Sequence, residues 1–331
     1  MMSRADNPVW VLAEQISGKT PRVCFELIGK ARKLADDLGV FVEVLLLGEV
    51  ADDQLDLLYQ SGADTIYHGV SPDYELYQPE IYSETIVKQA KKIKPQIILL
   101  GSTFIGRELA PIIAAKLKTG LTAHCIDLVL SEGQILEQQI PAYGGLISIT
   151  CPEKRPQIAT VAQGVFPSPE PDENRSGKLI RIEPPGDIKP RIKILKVERK
   201  DPVGVPLEEA PTVVAGGAGA GSVEGWQEIK ELADVLNAAL GSTRPAVDEG
   251  WIDLDTMIGQ SGKMINPDLY IGVGLSGEQQ HMVGISGAKV MVAINNDPKS
   301  TVFEQVDLGI VEDCREFVPV LIKKIQDYYQ K

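Results

Sequence analysis

The sequence predicts an α/β protein of two domains, each with a mainly parallel sheet flanked by helices. Three observations carry this reading. Strand and helix signals alternate through residues 9–117, and strands separated by helices imply βαβ units. The alternation resumes after residue 206. Between the two lies a Pro-containing, charged stretch, residues 183–201, which reads as a linker. At 331 residues the chain exceeds one ordinary domain. The expected domains are residues 1–200 and 206–331.

Residues 9–13 (V-W-V-L-A) read as a buried strand. Residues 25–38 are helix-periodic and stop at Gly39, a residue suited to the left-handed position after a helix. Strands follow at 41–47, 65–68 and 96–100, with helices at 54–59, 82–92 and 106–117. After His124 the pattern changes to short apolar runs, at 126–130, 135–140, 146–150, 157–161 and 180–182. These are expected as antiparallel additions to the same sheet. Residues 167–176 are polar and Pro-containing and read as a loop. Residues 192–197 read as a strand before the linker's charged end at 198–201. In the second domain, 212–215 is a strand, 216–221 (G-G-A-G-A-G) a turn, and 223–240 a helix closing at Gly241.

The net charge is −13. Nucleic acid is therefore an unexpected partner, since phosphate binding needs a basic face. A basic docking surface on another protein is attracted, in a salt-sensitive way. The four cysteines, Cys24, Cys125, Cys151 and Cys314, show no C-x-x-C spacing. That gives no sign of a zinc knuckle or iron–sulfur cluster, and free thiols in a reducing compartment are expected. No stretch is long enough to span a membrane and none reads as a targeting peptide, so a cytoplasmic protein is expected.

The chemistry concentrates between residues 241 and 295. Small residues and single polar groups recur there where each strand ends, which is how an open sheet cradles a phosphate-bearing cofactor. Arg244, Gln260, Ser261, Gln280 and His281 are too varied for phosphate alone. They suit a ring with several hydrogen-bonding edges, such as a flavin. The glycine run at 216–221, with Gly217 in it, stands between a strand and a helix but matches G-x-G-x-x-G poorly. It also reads as a plain tight turn. Ser276 and Gly277 form a turn after a strand, and Gln280 and His281 fall in the opening turn of a helix. Free N–H groups and the positive dipole end sit there. His281 alone reads as a structural histidine; beside Gln280 it reads as a ligand contact. Arg244 is expected just after a helix C-terminus, either as a surface cation or as a cation against the ring. Residues 259–263 (G-Q-S-G-K) are a small polar loop, and Asn295 and Asp297 follow another strand. His68 and His124 read as structural. There is no G-x-S-x-G, H-E-x-x-H or Walker lysine, which favours chemistry belonging to a cofactor.

These motifs resemble those of the electron transfer flavoprotein alpha-subunit family. The matches are G-S-T-R-P-A-V-D, I-G-Q-S-G-K, P-D-L-Y-I-G-V-G-L-S-G-E-Q-Q-H and V-A-I-N-N-D-P, in family order across residues 206–331. Residues 9–14 (V-W-V-L-A-E) and G-S-T-F-I-G-R-E-L-A-P at 101–111 resemble its N-terminal domain. The resemblance implies a Rossmann-like C-terminal domain that binds FAD. It implies a heterodimer whose beta subunit completes the site and holds AMP or, in bifurcating members, a second FAD. It further implies one-electron transfer between dehydrogenases, such as acyl-CoA dehydrogenase, and an acceptor. Carried over by position, Arg244 lies against the isoalloxazine, Ser261 near N5 with Gln260 and Gly262 beside it, and His281 at the O2 edge. Thr243, Ser276, Gly277 and Gln280 hold the ribityl–pyrophosphate region; Asn295 and Asp313 hold the adenosine half. Two positions depart from the family: Ser261 replaces a common threonine and keeps the hydroxyl, and Ala218 stands where many members have arginine. An NAD(P)-dependent Rossmann dehydrogenase and a non-catalytic nucleotide-binding subunit are the alternatives.

Overall fold

The computed structural model describes residues 5–142, 145–186, 188, 190–197, 205–208 and 210–329. The chain divides into two compact units, Met1–Val197 and Glu198–Lys331. The charged stretch at 198–201 lies outside the described residues.

The first unit holds strands β1 (Ala5–Ala13), β2 (Val40–Leu47), β3 (Thr65–Gly69), β4 (Ile97–Gly101), β5 (Leu121–Cys125), β6 (Asp127–Leu130), β7 (Leu136–Ala142), β8 (Gly145–Thr150), β9 (Gln157–Val161) and β10 (Lys178–Ile182). Its helices are α1 (Arg22–Leu38), α2 (Asp52–Gln60), α3 (Pro79–Ile93) and α4 (Phe104–Leu117). Seven strands form one parallel sheet in the order β10-β3-β2-β1-β4-β9-β5. A strand buried on both faces needs apolar residues at every position, and β1 supplies them. Val9, Val11 and Ala13 enter one core with Leu27, Ile28 and Ala31 of α1. Trp10 and Leu12 enter the other, with Ile86 of α3 and Ile113 of α4. Gly39 ends α1 in the left-handed region (φ 68°), its N–H donating to the carbonyls of Ala35 and Asp36.

Three expectations fail here. The runs at 157–161 and 180–182 are not antiparallel additions. As β9 and β10 they join the main sheet in parallel, β9 between β4 and β5 and β10 beside β3. All five residues of β9 are buried, as a central parallel strand requires. The antiparallel strands β6, β7 and β8 do exist, but as a separate three-stranded sheet. Residues 192–197 form no strand; Ile192, Leu195 and Val197 are exposed. They pair with no sheet edge among the described residues.

The second unit holds β11 (Thr212–Gly216), β12 (Ala239–Ser242), β13 (Leu269–Val273), β14 (Val290–Asn295) and β15 (Leu308–Val311). Its helices are α5 (Val223–Val235), α6 (Arg244–Asp248), α7 (Gln279–Met282) and α8 (Cys314–Tyr329). The sheet is parallel throughout, in the order β12-β11-β13-β14-β15. One face is covered by α5 and α8, through Trp226, Ile229 and Leu232 and through Val318 and Ile322. The other is covered by turns and the short α7, through Ile258, Ile265, Leu275, Met282 and Ile285.

The expected helix at 223–240 stops at Val235. Asn237 takes a left-handed conformation (φ 50°) and breaks it. Leu240 and Gly241 belong to β12, paired with Val214 and Ala215 of β11. Arg244 therefore opens α6 and does not follow a helix C-terminus. The reason is geometric: three residues separate helix from strand, so the apolar pattern runs on unbroken.

Candidate cofactor site

The strand order turns at β11, with β12 on one side and β13 on the other. In open parallel sheets, ligands bind outside the carboxyl ends of the strands at such a switch point. A cavity of about 440 Å³ opens there.

Its floor is backbone. The Gly217 N–H donates to Val273 O at 2.9 Å and the Gly219 N–H to Gly274 O at 2.8 Å. A Cβ on Gly217 would stand 2.4 Å from Gly274 O, and one on Gly219 2.7 Å from Gly274 Cα. Side chains at these positions would force the two turns apart.

Ten of the twelve expected site residues line the cavity. Thr243 and Arg244 come from the turn after β12, and Gln260 and Ser261 from the next loop. Ser276, Gly277, Gln280 and His281 come from the β13–α7 connection, Asn295 from the end of β14, and Asp313 from the start of α8. Gly217 and Gly262 are absent from the lining. Both shape it from behind: a Cβ on Gly262 would lie 2.2 Å from Met257 O.

Several of these side chains already have work. The Asn295 amide donates to Leu275 O at 2.8 Å and its oxygen accepts the Asp297 N–H at 2.9 Å. Ser276 O accepts from Val302 N, Ser300 Oγ and Thr301 Oγ1. Asp313 accepts the Arg315 N–H and pairs with its guanidinium, which pulls the Asp313 carboxyl down to about 2. Arg244 faces Asp248 at 3.5 Å with both side chains largely exposed. His281 is buried. Its Nδ1 stands 3.1 Å from Ile258 O and its Nε2 2.6 Å from the Tyr270 hydroxyl. Burial pushes its pKa down to about 4. Both ring nitrogens thus face protein partners, and a contact to a cofactor edge requires one of them to be exchanged.

Sequence reasoning missed part of the wall. Pro245, Met257, Ile258 and Leu275 supply apolar surface, and Gly219, Gly274, Glu278, Asn296 and Cys314 also line the cavity. Gly274 was visible as the first glycine of the V-G-L-S-G turn. Nothing in the spacing marks Cys314, whose thiol reaches Gly219 O at 3.4 Å. His68 and His124 lie in the first unit. His68 bridges Gly48 O and Arg181, and His124 bonds Ser102 Oγ. Among the described residues no cluster of His, Cys, Asp and Glu suits a metal ion, and no helix is long and apolar enough to cross a membrane.

The profile of the electron transfer flavoprotein domain matches residues 9–186, and that of the electron transfer flavoprotein FAD-binding domain matches residues 206–286. The electron transfer flavoprotein subunit alpha of Thermoanaerobacterium thermosaccharolyticum is 44% identical over 96% of this chain and 97% of its own. The chain belongs to the electron transfer flavoprotein alpha-subunit family. Protein FixB of Clostridium saccharobutylicum is 39% identical over 96% of each chain. The lactate dehydrogenase (NAD(+),ferredoxin) subunit LctC of Acetobacterium woodii is 36% identical over 96% of this chain and 77% of its own.

As an alpha subunit of this family the chain is an electron-transfer protein, its cofactor is FAD, and the family pairs with a beta subunit. The cavity fits that cofactor. A side-chain-free floor admits a phosphate-bearing chain closely. Its lining combines apolar Met257, Ile258 and Leu275 with the polar side chains of Thr243, Gln260, Ser261 and Gln280.

Proposed function

We propose that this chain, with a beta subunit, passes electrons singly between a flavoprotein dehydrogenase of the acyl-CoA dehydrogenase kind and an acceptor, in the cytoplasm. In this reading residues 1–200 contact the beta subunit, which holds AMP, and residues 206–331 hold FAD. Bound FAD supplies the reversible uptake of electrons. The observation that supports the reading is the make-up of the cavity wall: among the described lining residues Arg244 is the one cationic side chain, beside the neutral donors Thr243, Gln260, Ser261 and Gln280 and the carboxylates of Glu278 and Asp313.

Each residue then has a physical role. Arg244 places a fixed guanidinium at the cavity, where it favours added negative charge. Gln260 and Ser261 offer donors from the loop at 259–263. Ser276, Gly277 and Gln280 present the turn and helix start that suit a pyrophosphate. Asn295 and Asp313 border the end beyond them. Gly217 and Gly262 keep the backbone close. Neutral His281 adds no second cation.

A second reading has its own support. The LctC relative is named as part of an NAD(+)- and ferredoxin-linked lactate dehydrogenase, so a bifurcating role with two flavins is open to this chain. Purifying the complex with its beta subunit and counting flavins decides between them. One FAD with AMP supports the simple carrier; two FAD support bifurcation. A colourless complex that takes up no FAD overturns both.

A further inference from the structure

The consecutive carbonyls from Leu275 to Glu278 are all taken up by protein donors. The Asn295 amide donates to Leu275 O at 2.8 Å. Ser276 O accepts from the Val302 N–H at 3.0 Å, the Ser300 hydroxyl at 3.1 Å and the Thr301 hydroxyl at 2.8 Å. Gly277 O accepts the Gln305 side-chain amide at 2.9 Å. Glu278 O accepts the His281 and Met282 N–H groups at 2.9 and 3.0 Å. The first three of these carbonyls are held by one segment, residues 295–305, which starts at the last residue of β14.

The direction of these bonds is fixed. Asn295 Oδ1 accepts the Asp297 N–H, so Nδ2 is the donor to Leu275 O and, at 3.3 Å, to Ser300 Oγ. The Ser300 hydroxyl accepts there, and its one proton goes to Ser276 O. Gly277 has a φ of 82°, and a Cβ on it would stand 2.4 Å from Val302 N, so only glycine lets the turn press this closely onto the segment.

A trans peptide sets its C=O and the next residue's N–H on opposite sides. With the Ser276 and Gly277 carbonyls turned onto residues 300–305, the Gly277 and Glu278 N–H groups point the other way. Among the described residues neither N–H has a hydrogen-bond partner. Ser276, Gly277 and Glu278 line the cavity, while Ser300, Thr301 and Gln305 do not. The free N–H groups therefore face the cavity side.

We propose that Ser300, Thr301 and Gln305 are positioning residues: they hold the turn after β13 from behind, so that two backbone N–H groups are presented to the FAD pyrophosphate. This rests on the FAD-site reading above and adds residues outside the cavity that set its grip on phosphate. Successive N–H groups aimed at one place make an anion-binding nest. Were the peptide free to rotate, its carbonyl would meet the anion and repel it. The hold matters here because Glu278 brings a carboxylate to the same wall, and the backbone dipoles must outweigh it.

The Thr301 and Gln305 side chains are exposed, which makes them separable from the fold. Thr301→Val/Gln305→Met removes two donors and keeps their shape. In the complex with the beta subunit, the Kd for FAD is expected to rise roughly tenfold, the worth of one or two hydrogen bonds. The ³¹P signals of bound FAD are expected to move, while the visible spectrum and first reduction potential, which report on the isoalloxazine, stay. Thr301→Ser keeps the hydroxyl and is expected to match wild type. Unchanged affinity with unmoved ³¹P signals overturns the proposal. So does a potential that shifts together with affinity, the mark of general loosening. If the double variant fails to assemble, Thr301→Val alone is read in the same way, with a rise of roughly two- to tenfold expected. A wild-type complex without flavin sinks the functional reading instead. Hydrogen exchange of the Val302 amide, itself bonded to Ser276 O, then decides the hold: faster exchange in the variant supports it, and an unchanged rate overturns it.

Discussion

Gly219 and Gly274 meet backbone to backbone: the Gly219 N–H donates to Gly274 O at 2.8 Å, and a Cβ on either would lie within 2.9 Å of the other's backbone. Gly274 also takes a φ of 63°, which L side chains rarely adopt. The contact joins the turns after β11 and β13, the two strands flanking the switch point. Gly219→Ala is expected to cost about 1–3 kcal/mol through overpacking and to weaken FAD binding. Denaturant titration with and without FAD checks both. Unchanged binding would show that the cofactor does not rest on this floor.

Arg244 is separable from stability. Its partner Asp248 is 3.5 Å away and both side chains are largely exposed. Such a pair is worth at most about 1 kcal/mol. Arg244→Ala is therefore expected to fold normally. Its first reduction potential is expected to fall, because a hydrogen bond to a charged group is worth about 1.5–3 kcal/mol. That is roughly 60–130 mV for one electron. Spectroelectrochemistry of the variant complex reads the shift; an unmoved potential removes Arg244 from its assigned role.

His281 couples stability to acid. Burial holds its folded pKa near 4, below the ordinary histidine value of 6.5. The unfolded chain therefore binds the proton more readily. The contribution is complete above about pH 6.5 and is lost as pH falls toward 4, for a total of up to about 3 kcal/mol. His68 and His124 shift in the same direction, with burial the leading cause. His281→Gln is expected to flatten the fall in stability across this window, in denaturation curves at successive pH values.

Glu14 acts in the opposite direction. It follows β1, and its carboxylate accepts the Thr103 hydroxyl at 2.6 Å, where Thr103 caps α4. Burial raises its pKa to about 7, the Thr103 bond opposing. The folded state therefore holds the proton more tightly than the unfolded chain. Stability from this group is complete below about 4.5 and is lost as pH rises through 7. Glu14→Gln is expected to raise stability at pH 8 by up to about 3 kcal/mol, with little change at pH 4. A gain of equal size at both pH values would refute the titration.

The strand and helix alternation was legible because parallel strands and amphipathic helices write distinct periods. Gly39 marked the end of α1 for the same local reason. Partners were not legible. The apolar alternation of residues 157–161 and of 146–150 looks alike, yet β9 is central and wholly buried while β8 is exposed throughout. Only long-range pairing separates them. β12 was hidden because Ala239 and Leu240 extend the apolar rhythm of α5, and the break rests on Asn237 alone. In the site, residues at turn apices could be read, since glycine and hydroxyl residues there have few other uses. Tyr270 could not: within its strand it is one more buried residue, and its partner lies eleven positions on in another element.

The cavity wall draws on the segments that follow each of β11 to β14 and on the start of α8, from Ala218 to Cys314. No stretch of the second unit shorter than that assembles it. Yellow colour in this chain is therefore a reporter of finished folding, and a protease cut between β12 and β13 should bleach the protein even where most of its helices survive.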